Sequence, residues 1–454
     1  MESEGIDITE LIDKPDITKV KIAVTDIDGI LRGKYINKNK FLSALSDGLG
    51  FCNVVLGWDM SDVCYDNTRY TGWHTGYPDA KVRLDLSTHR SIPWDNSTPF
   101  FLGDFEDELG NPLPVCPRQT LKRVLNRAKE MGFDPFLGLE FEWFNFLETP
   151  HSLREKKYKD LKPLTPGMFG YSILRSTLNQ PFFVDLMDQL REFDIPLEGL
   201  HTETGPGVIE AAIVGASGIE AVDRAVLFKS AVKEIAYRHG IIATFMARWN
   251  TQMPGCGGHI HQSLNSLSNG QNVFHDANDE RKMSATFKSY LAGQMKALPE
   301  VLPMFAPTIN SYKRLVEGYW APTTVTWSSD NRTVALRVIP GSVKSTRLET
   351  RVGGADINPY LAVAASIASG LDGIEKGLTL DAPPVVGNGY AVKDAVRLPR
   401  NLMEATDAFA RSSSAKEWFG EAFVEHFAAT REWEWRQYAQ AVTDWELDRY
   451  LEII

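Results

Sequence analysis

Two pairs of carboxylates in this sequence have spacings that suit a cation. Glu140 and Glu142 are separated by one apolar residue, so in a strand they share a face, about 6.6 Å apart. Two like charges that close favour cations beside them. Glu203 and Glu210 flank the turn signal at 205–207, and a hairpin there would bring both acids to one end of a sheet. Taken alone, each pair would more often belong to a solvated surface than to a site.

Two histidines follow a run rich in glycine. His259 and His261 come directly after the segment 255–258, and in a strand both imidazoles would point to one face. The glycines would let the backbone approach a ligand closely. Glu349 and Arg351 repeat the same spacing. A single histidine here would usually be structural, but the pair behind a glycine run favours a binding site.

A set of basic residues lies between these acids and the C-terminus. Its members are Arg314, Arg332, Arg337, Lys344 and Arg347. Guanidinium groups match the oxygens of carboxylates and phosphates, although surface salt bridges are the commoner use of any one arginine. Many acids with a histidine suit Mg²⁺ or Mn²⁺, and metals with arginines suit phosphoryl transfer. A phosphate loop of the GxxxxGK[ST] type is absent from the sequence.

The composition is that of an ordinary globular protein. The chain has 454 residues, 43% of them hydrophobic, and a formal net charge of −11, which argues against broad nucleic-acid binding. No continuous apolar run approaches 18 residues, so we expect no membrane span. Four cysteines at scattered spacings and an N-terminus without an apolar core indicate a reduced, cytoplasmic protein.

The elements that must position these side chains fall into two regions. Residues 1–110 read as a small β-rich domain, with two strands in 18–37 around a turn near Asp28 and Gly29. The proline-containing stretch 111–117 is the expected boundary. From Pro117 onward helices and strands alternate in an α+β pattern. The strands are expected at 136–144, 241–247, 255–264, 323–329, 333–339 and 347–352, and the segment 197–213 would contain the hairpin around 205–207. The helices are expected from 117 and at 178–193, 219–239, 283–298 and 358–376, with a mostly helical tail after 398.

The order of these motifs resembles the glutamine synthetase superfamily over nearly the whole chain. The matching segments are Glu140-x-Glu142, Glu203 to Glu210, Gly257-x-His259-x-His261, Asn310-Ser-Tyr-Lys-Arg314, Gly318-Tyr319-x-Ala321-Pro322, Asn331-Arg332 and Glu349-x-Arg351 with Asn358-Pro359-Tyr360. The resemblance implies an N-terminal β-grasp domain (1–110) and a large catalytic domain (111–454), whose curved antiparallel sheet is flanked by helices. It also implies a homo-oligomer, a dodecamer or decamer of stacked rings with active sites between neighbouring subunits.

The resemblance also implies a role for each motif residue, with two or three Mg²⁺ or Mn²⁺ ions and ATP as co-substrate. The first metal would be held by Glu142, Glu203 and Glu210. The second would be held by Glu140, His259 and Glu349. Nucleotide-binding positions are Glu198, His261, Ser263, Lys344 and Arg347. Arg332 and Arg337 match the groups that hold the transferring phosphate, and the acyl-substrate site would comprise Gly255, Arg314 and Arg351.

One departure from the family bears on the nitrogen substrate. True glutamine synthetases have Glu in the Gly-Tyr-Glu-Ala-Pro motif, where it takes a proton from ammonium, and this chain has Trp320. The ammonium-binding segment of the family is also unrecognisable around 51–59. Freeing an alkylammonium lone pair at pH 7 costs roughly 4.6 kcal/mol for a pKa of about 10.4. Either Asp59 or Asp62 assists, or the amine is weakly basic. Trp320 could alternatively be a packing residue.

Three functions follow from these residues. The favoured one is an ATP-dependent ligase that joins the γ-carboxyl of glutamate to a small alkyl or aromatic amine through a γ-glutamyl phosphate, a reaction that typically begins amine breakdown. The second is ordinary glutamine synthesis from ammonium. The third is a ring-forming homologue without activity, which would have no physical need for all six metal ligands.

Overall fold

The N-terminal part of the chain forms a five-stranded sheet with one helix against it. The computed structural model describes Ile12 and residues 14–454, so residues 1–11 and 13 of the predicted first domain lie outside it. The strands are β1 (Lys19–Thr25), β2 (Leu31–Asn37), β3 (Leu49–Cys52), β4 (Asp79–Ile92) and β5 (Thr98–Glu106), in the order β2-β1-β5-β4-β3. Helix α1 (Lys38–Asp47) follows β2. Strands β1 and β5 pair in parallel and the other neighbours are antiparallel.

The predicted turn between the first two strands is confirmed. The Asp26 carboxylate accepts hydrogen bonds from the backbone N–H groups of Asp28 and Ile30, at 3.0 and 2.9 Å. Gly29 adopts a φ of 82°, a left-handed conformation that glycine adopts without steric cost. The turn chemistry read from the sequence therefore sets the hairpin β1–β2.

A second, nine-stranded sheet carries most of the predicted site residues. Its strands are β6 (Phe133–Phe146), β7 (Leu197–Thr202), β8 (Val208–Ile213), β9 (Ala216–Ser217), β10 (Ile242–Thr244), β11 (Gly258–Ser266), β12 (Trp327–Ser329), β13 (Leu336–Ile339) and β14 (Arg347–Thr350). The main order is β12-β13-β14-β11-β6-β8-β7, and β9 and β10 pair with β6. All pairings are antiparallel, as expected, except β12 with β13.

Strand β6 is the centre of this sheet, and its two faces differ. Leu137, Leu139, Phe141 and Trp143 are buried in the hydrophobic core, whereas the alternate residues 136, 138, 140 and 142 are at least partly accessible. Helices α6 (Gly218–Arg238) and α2 (Pro117–Glu130) pack against the strand. The apolar face is therefore closed by helices and the polar face is left for chemistry.

The helices confirm most of the sequence predictions. Those not yet named are α3 (Pro150–Glu155), α4 (Ile173–Leu178), α5 (Gln180–Glu192), α7 (Ala285–Val301), α8 (Ile309–Arg314), α9 (Pro359–Glu375), α10 (Leu402–Arg411), α11 (Ser413–Phe419), α12 (Glu421–Gln440) and α13 (Asp444–Tyr450). The helix predicted at 178–193 is preceded by the separate helix α4. Over the described residues, no helix combines the length and the apolar character required to cross a membrane.

Two predicted strands are shorter than expected. The structure has only β12 within 323–329 and only β10 within 241–247. The backbone before β12 forms its hydrogen bonds elsewhere, because the Val325 N–H donates to Val396 O and the Leu398 N–H donates to Thr323 O. Local β-propensity could not reveal this partner, which comes from about 70 residues further along the chain.

Near the predicted boundary, a buried arginine connects the first sheet to a helix that packs against the second sheet. Arg118, at the start of α2, donates to both carboxylate oxygens of Asp223 on α6, at 2.9 and 2.7 Å, and to Asp104 on β5 at 2.7 Å. The Tyr360 hydroxyl donates to the same Asp223 at 2.6 Å. One hydrophobic cluster lies wholly within residues 12–116, while the main cluster takes residues from both regions. The boundary at 110–111 itself remains a prediction.

We predict that Arg118→Met destabilises the fold by about 3–5 kcal/mol, because the substitution leaves Asp104 and Asp223 buried without this cation. Urea unfolding followed by fluorescence measures the change. Arg127→Met is the matched control on the same helix, since Arg127 pairs with the more exposed Glu375 and should cost less than about 1 kcal/mol. Equal losses in the two variants would contradict the role given to Arg118.

Candidate active site

Strand register brings the predicted acids and histidines into adjacent positions across the second sheet. Glu140 on β6 lies opposite His259 on β11, and Glu142 lies opposite Glu210 on β8. Glu349 on β14 lies opposite His261 on β11. Residues that the sequence separates by more than 200 positions thus become neighbours on one face of the sheet.

Glu140, His259 and Glu349 form the first cluster. One potential ligand atom from each lies within 4.8 Å of the other two. His259 Nδ1 is 2.7 Å from Glu140 Oε1 and 3.5 Å from Glu349 Oε1, and the buried His259 Nε2 has no hydrogen-bond partner. Burial raises the pKa of Glu140, but hydrogen bonds with His259 and His261 outweigh it and hold that pKa well below its usual range. Glu140 is therefore ionised and available to a cation.

The second cluster contains a residue that the sequence predictions missed. His201, Glu203 and Glu210 have ligand atoms within 4.8 Å of one another, and His201 Nδ1 is buried without a partner. The sequence pattern that could have identified His201 was present, since one residue separates it from Glu203, as one residue separates Glu140 from Glu142. Glu142 lines the same cleft, and its Oε2 accepts a hydrogen bond from the Gly257 N–H at 2.7 Å.

The carboxylates of this second group repel one another strongly. Burial, followed by the charges of Glu142, Glu140 and Glu203, raises the pKa of Glu210 to about 9. A divalent cation bound among them would relieve this repulsion. Carboxylate oxygens with an imidazole are the donors that Mg²⁺ and Mn²⁺ accept. The residues present therefore fit the metals that the resemblance implies.

Two arginines, the partly buried Arg337 and the buried Arg351, hold Glu349 in place. Arg337 donates to Glu349 Oε2 at 2.9 Å and to Asp330 at 2.8 Å, and Arg351 pairs with Glu349 Oε1. Burial raises the pKa of Glu349, but the charges of Arg351, His259 and His261 together outweigh it and leave the pKa lowered. Arg337, predicted to hold a phosphate, thus has its guanidinium engaged with two carboxylates and does not line either cleft.

The acids line a cleft of about 420 Å³ together with aromatic and basic side chains. Its walls are Glu140, Glu142, Tyr171, Glu203, Thr204, Glu210, Pro254, Gly255, His259, Tyr319, Trp320, Arg332 and Arg351. Arg332 forms no hydrogen bond or ion pair with any described residue, so its guanidinium is available to an anion in the cleft. Trp320 is 56% exposed and adopts a φ of 61°, an unusual conformation for a bulky residue.

Gly255, in the wall of this cleft, is in contact with Arg314 behind it. A Cβ at Gly255 would lie 2.8 Å from Arg314 Cγ, so the position has no room for a side chain. Arg314 is buried and donates to Val352 O at 3.1 Å, and burial lowers its pKa. Of the three predicted acyl-site residues, Gly255 and Arg351 line the cleft and Arg314 supports it from behind.

A second cleft, of about 390 Å³, adjoins the first. All five residues predicted to bind nucleotide line it: Glu198, His261, Ser263, Lys344 and Arg347. Arg347 Nε donates to His261 Nδ1 at 3.1 Å, and the other ring nitrogen of His261 lies 3.2 Å from Glu140 Oε2. Glu140 lines both clefts, so a ligand in the second cleft could reach the metal cluster.

Asp59 and Asp62 do not reach either cleft within one chain. The Asp59 carboxylate accepts hydrogen bonds from Trp433 Nε1 at 3.0 Å and from the backbone of Ser61 and Val63. Asp62 pairs with Arg32 at 2.7 Å. Both acids belong to the N-terminal sheet region, so a role in catalysis would require a second copy of the chain.

Known proteins are similar to this chain in sequence and in fold. A family model described as "Glutamine synthetase, catalytic domain" matches residues 114–450. A type-1 glutamine synthetase of Dictyostelium discoideum is 56% identical over 96% of this chain and 84% of its own length. A glutamate–isopropylamine ligase of a Pseudomonas species is 36% identical over 98% of each chain. A solved complex of GmaS with ADP superposes with a TM-score of 0.85 at 27% identity, covering 98% of this chain and 99% of the other.

These similarities agree with the site. The family model covers both clefts and all of the clustered acids and histidines. Enzymes of this family use ATP, divalent metal ions, glutamate, and ammonia or an amine. The mixed architecture, with its large sheet and surrounding helices, matches the solved relative over almost the whole chain. The chain belongs to the glutamine synthetase family of ATP-dependent ligases.

Proposed function

We propose that this protein is an ATP-dependent glutamate–amine ligase whose nitrogen substrate is a small alkyl or aromatic amine. The observation that carries the proposal is Trp320 in the wall of the acidic cleft. The four carboxylates that line this cleft, Glu140, Glu142, Glu203 and Glu210, all occupy predicted metal positions. Among the described residues of one chain, the cleft therefore keeps no further acid for an ammonium ion.

The proposed metal ligands are the six residues named from the sequence, to which the geometry adds His201 as a neighbour. Glu142, Glu203 and Glu210 would hold one ion, and Glu140, His259 and Glu349 another. Two or three Mg²⁺ or Mn²⁺ ions would screen the negative charges of ATP and glutamate from each other. The raised pKa of Glu210 supports this assignment, because the free cluster carries more negative charge than it can stabilise.

The reaction has two steps that balance without any further reactant. A γ-carboxylate oxygen of glutamate bonds to the γ-phosphorus of ATP as the bond to ADP breaks. The amine nitrogen then bonds to the γ-carbonyl carbon as phosphate leaves, and the nitrogen loses a proton. Arg332 would hold the transferring phosphate, and Arg337 would act on it through Glu349. Arg351 and Gly255, with Arg314 behind them, would orient glutamate.

The acceptor end of the cleft is aromatic. Tyr171, Tyr319 and Trp320 line it together with Pro254. One face of Tyr319 is covered by the Arg248 guanidinium, 4.6 Å from the ring centre, whereas Trp320 is open. An indole can cover the apolar body of an alkylamine or stack on an aromatic amine. Both interactions favour an amine over ammonia.

We further propose the assembly that the site requires. Each active site would lie between neighbouring subunits of stacked rings, in a dodecamer or a decamer, as the resemblance implies. Asp59 would then reach the cleft of an adjacent subunit and receive the proton of the amine. Residues 1–110 would form the domain that supplies Asp59, and residues 111–454 the domain that supplies the clefts.

Glutamine synthesis from ammonium is the second candidate. A relative that is 56% identical carries the glutamine synthetase name, while the isopropylamine ligase is 36% identical. Trp320 argues for an amine, since it can neither pair with ammonium nor take its proton. A ring-forming homologue without activity is disfavoured, because burying so many carboxylates in one cleft would only destabilise a scaffold.

We expect phosphate release from Mg²⁺-ATP and glutamate to depend on an added amine. The panel comprises ammonium, methylamine, isopropylamine, ethanolamine, putrescine and aniline, and the product amide is identified by mass spectrometry. A small alkyl or aromatic amine should give the highest kcat/KM. Turnover with ammonium alone would reject the amine ligase, and intact rings without any turnover would indicate the scaffold.

We expect Glu142→Ala to lower phosphate release by more than about 100-fold. Loss of a direct metal ligand should lower activity more than loss of a residue that only hydrogen-bonds to a ligand. Calorimetric titration with Mn²⁺ should show a matching loss of affinity. Glu192→Ala, at the exposed end of α5, is the control and should leave both quantities unchanged. Retained activity in Glu142→Ala would remove this residue from the metal site.

We expect Trp320→Glu to increase kcat/KM for ammonium and to decrease it for the preferred amine. The carboxylate would pair with the ammonium ion, while the apolar contact to the amine is lost. Trp320→Phe is the conservative control and should keep the preference for the amine. An unchanged amine profile in Trp320→Glu would show that this residue does not set specificity.

A further inference from the structure

Arg248 is a buried cation that no carboxylate neutralises. The residue is 7% exposed, and it forms no ion pair with any described residue. Each of its three side-chain nitrogens donates to backbone carbonyl oxygens instead. Nε donates to Asn250 O at 3.2 Å and to Met253 O at 3.0 Å. Nη1 donates to Lys313 O and Nη2 to Thr251 O, both at 2.7 Å. Because a buried charge is costly without such bonds, the guanidinium and these carbonyls fix one another.

Three of these carbonyls belong to the loop 249–255, which closes around the guanidinium. The Cys256 N–H donates to Ala247 O at 2.8 Å and so joins the two ends of the loop. Inside the loop, the Met253 N–H donates to Asn250 O at 3.3 Å, which is longer than any of the bonds from the guanidinium. The loop ends in Pro254 and Gly255, which line the acidic cleft. The position of this part of the cleft wall therefore depends on the side chain of Arg248.

The same guanidinium contacts a second segment of the wall. Its central carbon lies over the Tyr319 ring, 4.6 Å from the ring centre, a contact that a planar guanidinium makes well. Trp320 follows directly and has a φ of 61°. Both rings line the cleft. One side chain thus contacts both segments that form the aromatic acceptor end.

The backbone of Arg248 is fixed as well. Its N–H donates to Asn310 Oδ1 at 2.8 Å, and Asn310 Nδ2 donates to Arg248 O at 2.7 Å. Asn310 lies in α8, the helix that also provides the Lys313 carbonyl and carries Arg314 behind the cleft. Arg248 is therefore held at its backbone by α8, and the two wall segments are held by its side chain.

We infer that Arg248 positions the acceptor end of the cleft by holding the loop 249–255 and the pair Tyr319–Trp320 at a fixed separation. The inference rests on the proposed function, which assigns this end of the cleft to the amine. Arg248 lines neither cleft, so it acts on the amine through Pro254, Tyr319 and Trp320. An amine with an apolar body contacts both sides of the wall and depends on their separation. Ammonium is too small to contact both, so the fixed separation favours the amine.

The test is the ratio of kcat/KM for the preferred amine to kcat/KM for ammonium. Arg248→Ala should lower kcat/KM for the amine by about 10- to 100-fold, the size of effect that a small misplacement far from the chemistry can have, and should lower the ratio. The KM for ATP should stay near the wild-type value, because no contact of Arg248 described above lies in the nucleotide cleft.

Two further variants complete the comparison. Arg248→Lys keeps the charge but lacks the planar fork, so it should lower the ratio by less, and it is measured in place of Arg248→Ala if that variant does not fold. Arg191→Ala is the matched control. Arg191 lies at the exposed surface of α5 and pairs with Asp188, so its loss should leave the ratio unchanged.

Chemical rescue separates positioning from a general loss of structure. Guanidinium ion at millimolar concentration fits the space that Arg248→Ala leaves, and it should raise the ratio of that variant without raising that of the wild type. An unchanged ratio in both Arg248 variants, or an equal loss for amine and ammonium that guanidinium does not restore, would overturn the inference. Turnover of the wild type with ammonium alone would instead overturn the proposed function, so the two failures are distinguishable.

Discussion

The repulsion among carboxylates of β6, β8 and the turn before β8, on one face of the second sheet, is the constraint around which that sheet is organised. Glu140, Glu142, Glu203 and Glu210 line one cleft, and their mutual charge with burial raises the pKa of Glu210 to about 9. Without compensation, so many acids would force the strands apart or become protonated. Divalent cations relieve the repulsion, and they are also the groups that a reaction between two anions needs.

The protein compensates part of this charge itself, but unequally. Glu349 is held by Arg337 and Arg351, and Glu140 by the two histidines. Near Glu203 and Glu210 lie a partly buried histidine, with His201 Nε2 3.9 Å from Glu210, and Arg332, whose charge lowers the pKa of Glu210 by less than burial and the other acids raise it. The carboxylates of the first cluster are therefore held by hydrogen bonds and ion pairs within the chain, whereas those of the second have fewer such partners. Arg337 pairs with Glu349 and Asp330 and does not line either cleft.

Two clefts share Glu140, and in the proposed function this shared residue would lie between the nucleotide and the amine. On one side lie the residues at nucleotide positions, on the other the aromatic wall with Trp320. In the proposed reaction, the nucleotide side would carry out the phosphoryl transfer that the family shares. The aromatic side would select the nitrogen substrate, which can vary. Because Trp320 lies in a loop rather than in the sheet, it can change without disturbing the metal-binding face.

The sequence by itself determined the parts that depend on short-range periodicity. One-residue spacing placed Glu140 with Glu142 and His259 with His261, since alternate residues of a strand share a face, and the glycine and proline signals fixed the hairpin at 26–30 and the start of α2. The order of the motifs along the chain was also sufficient to identify the family. The tertiary structure alone decided which strands lie side by side, because register depends on packing across the chain. That register brought His201 to Glu210 and Arg337 to Glu349. Packing between a loop and a distant helix kept Asp59 beside Trp433 and away from the clefts.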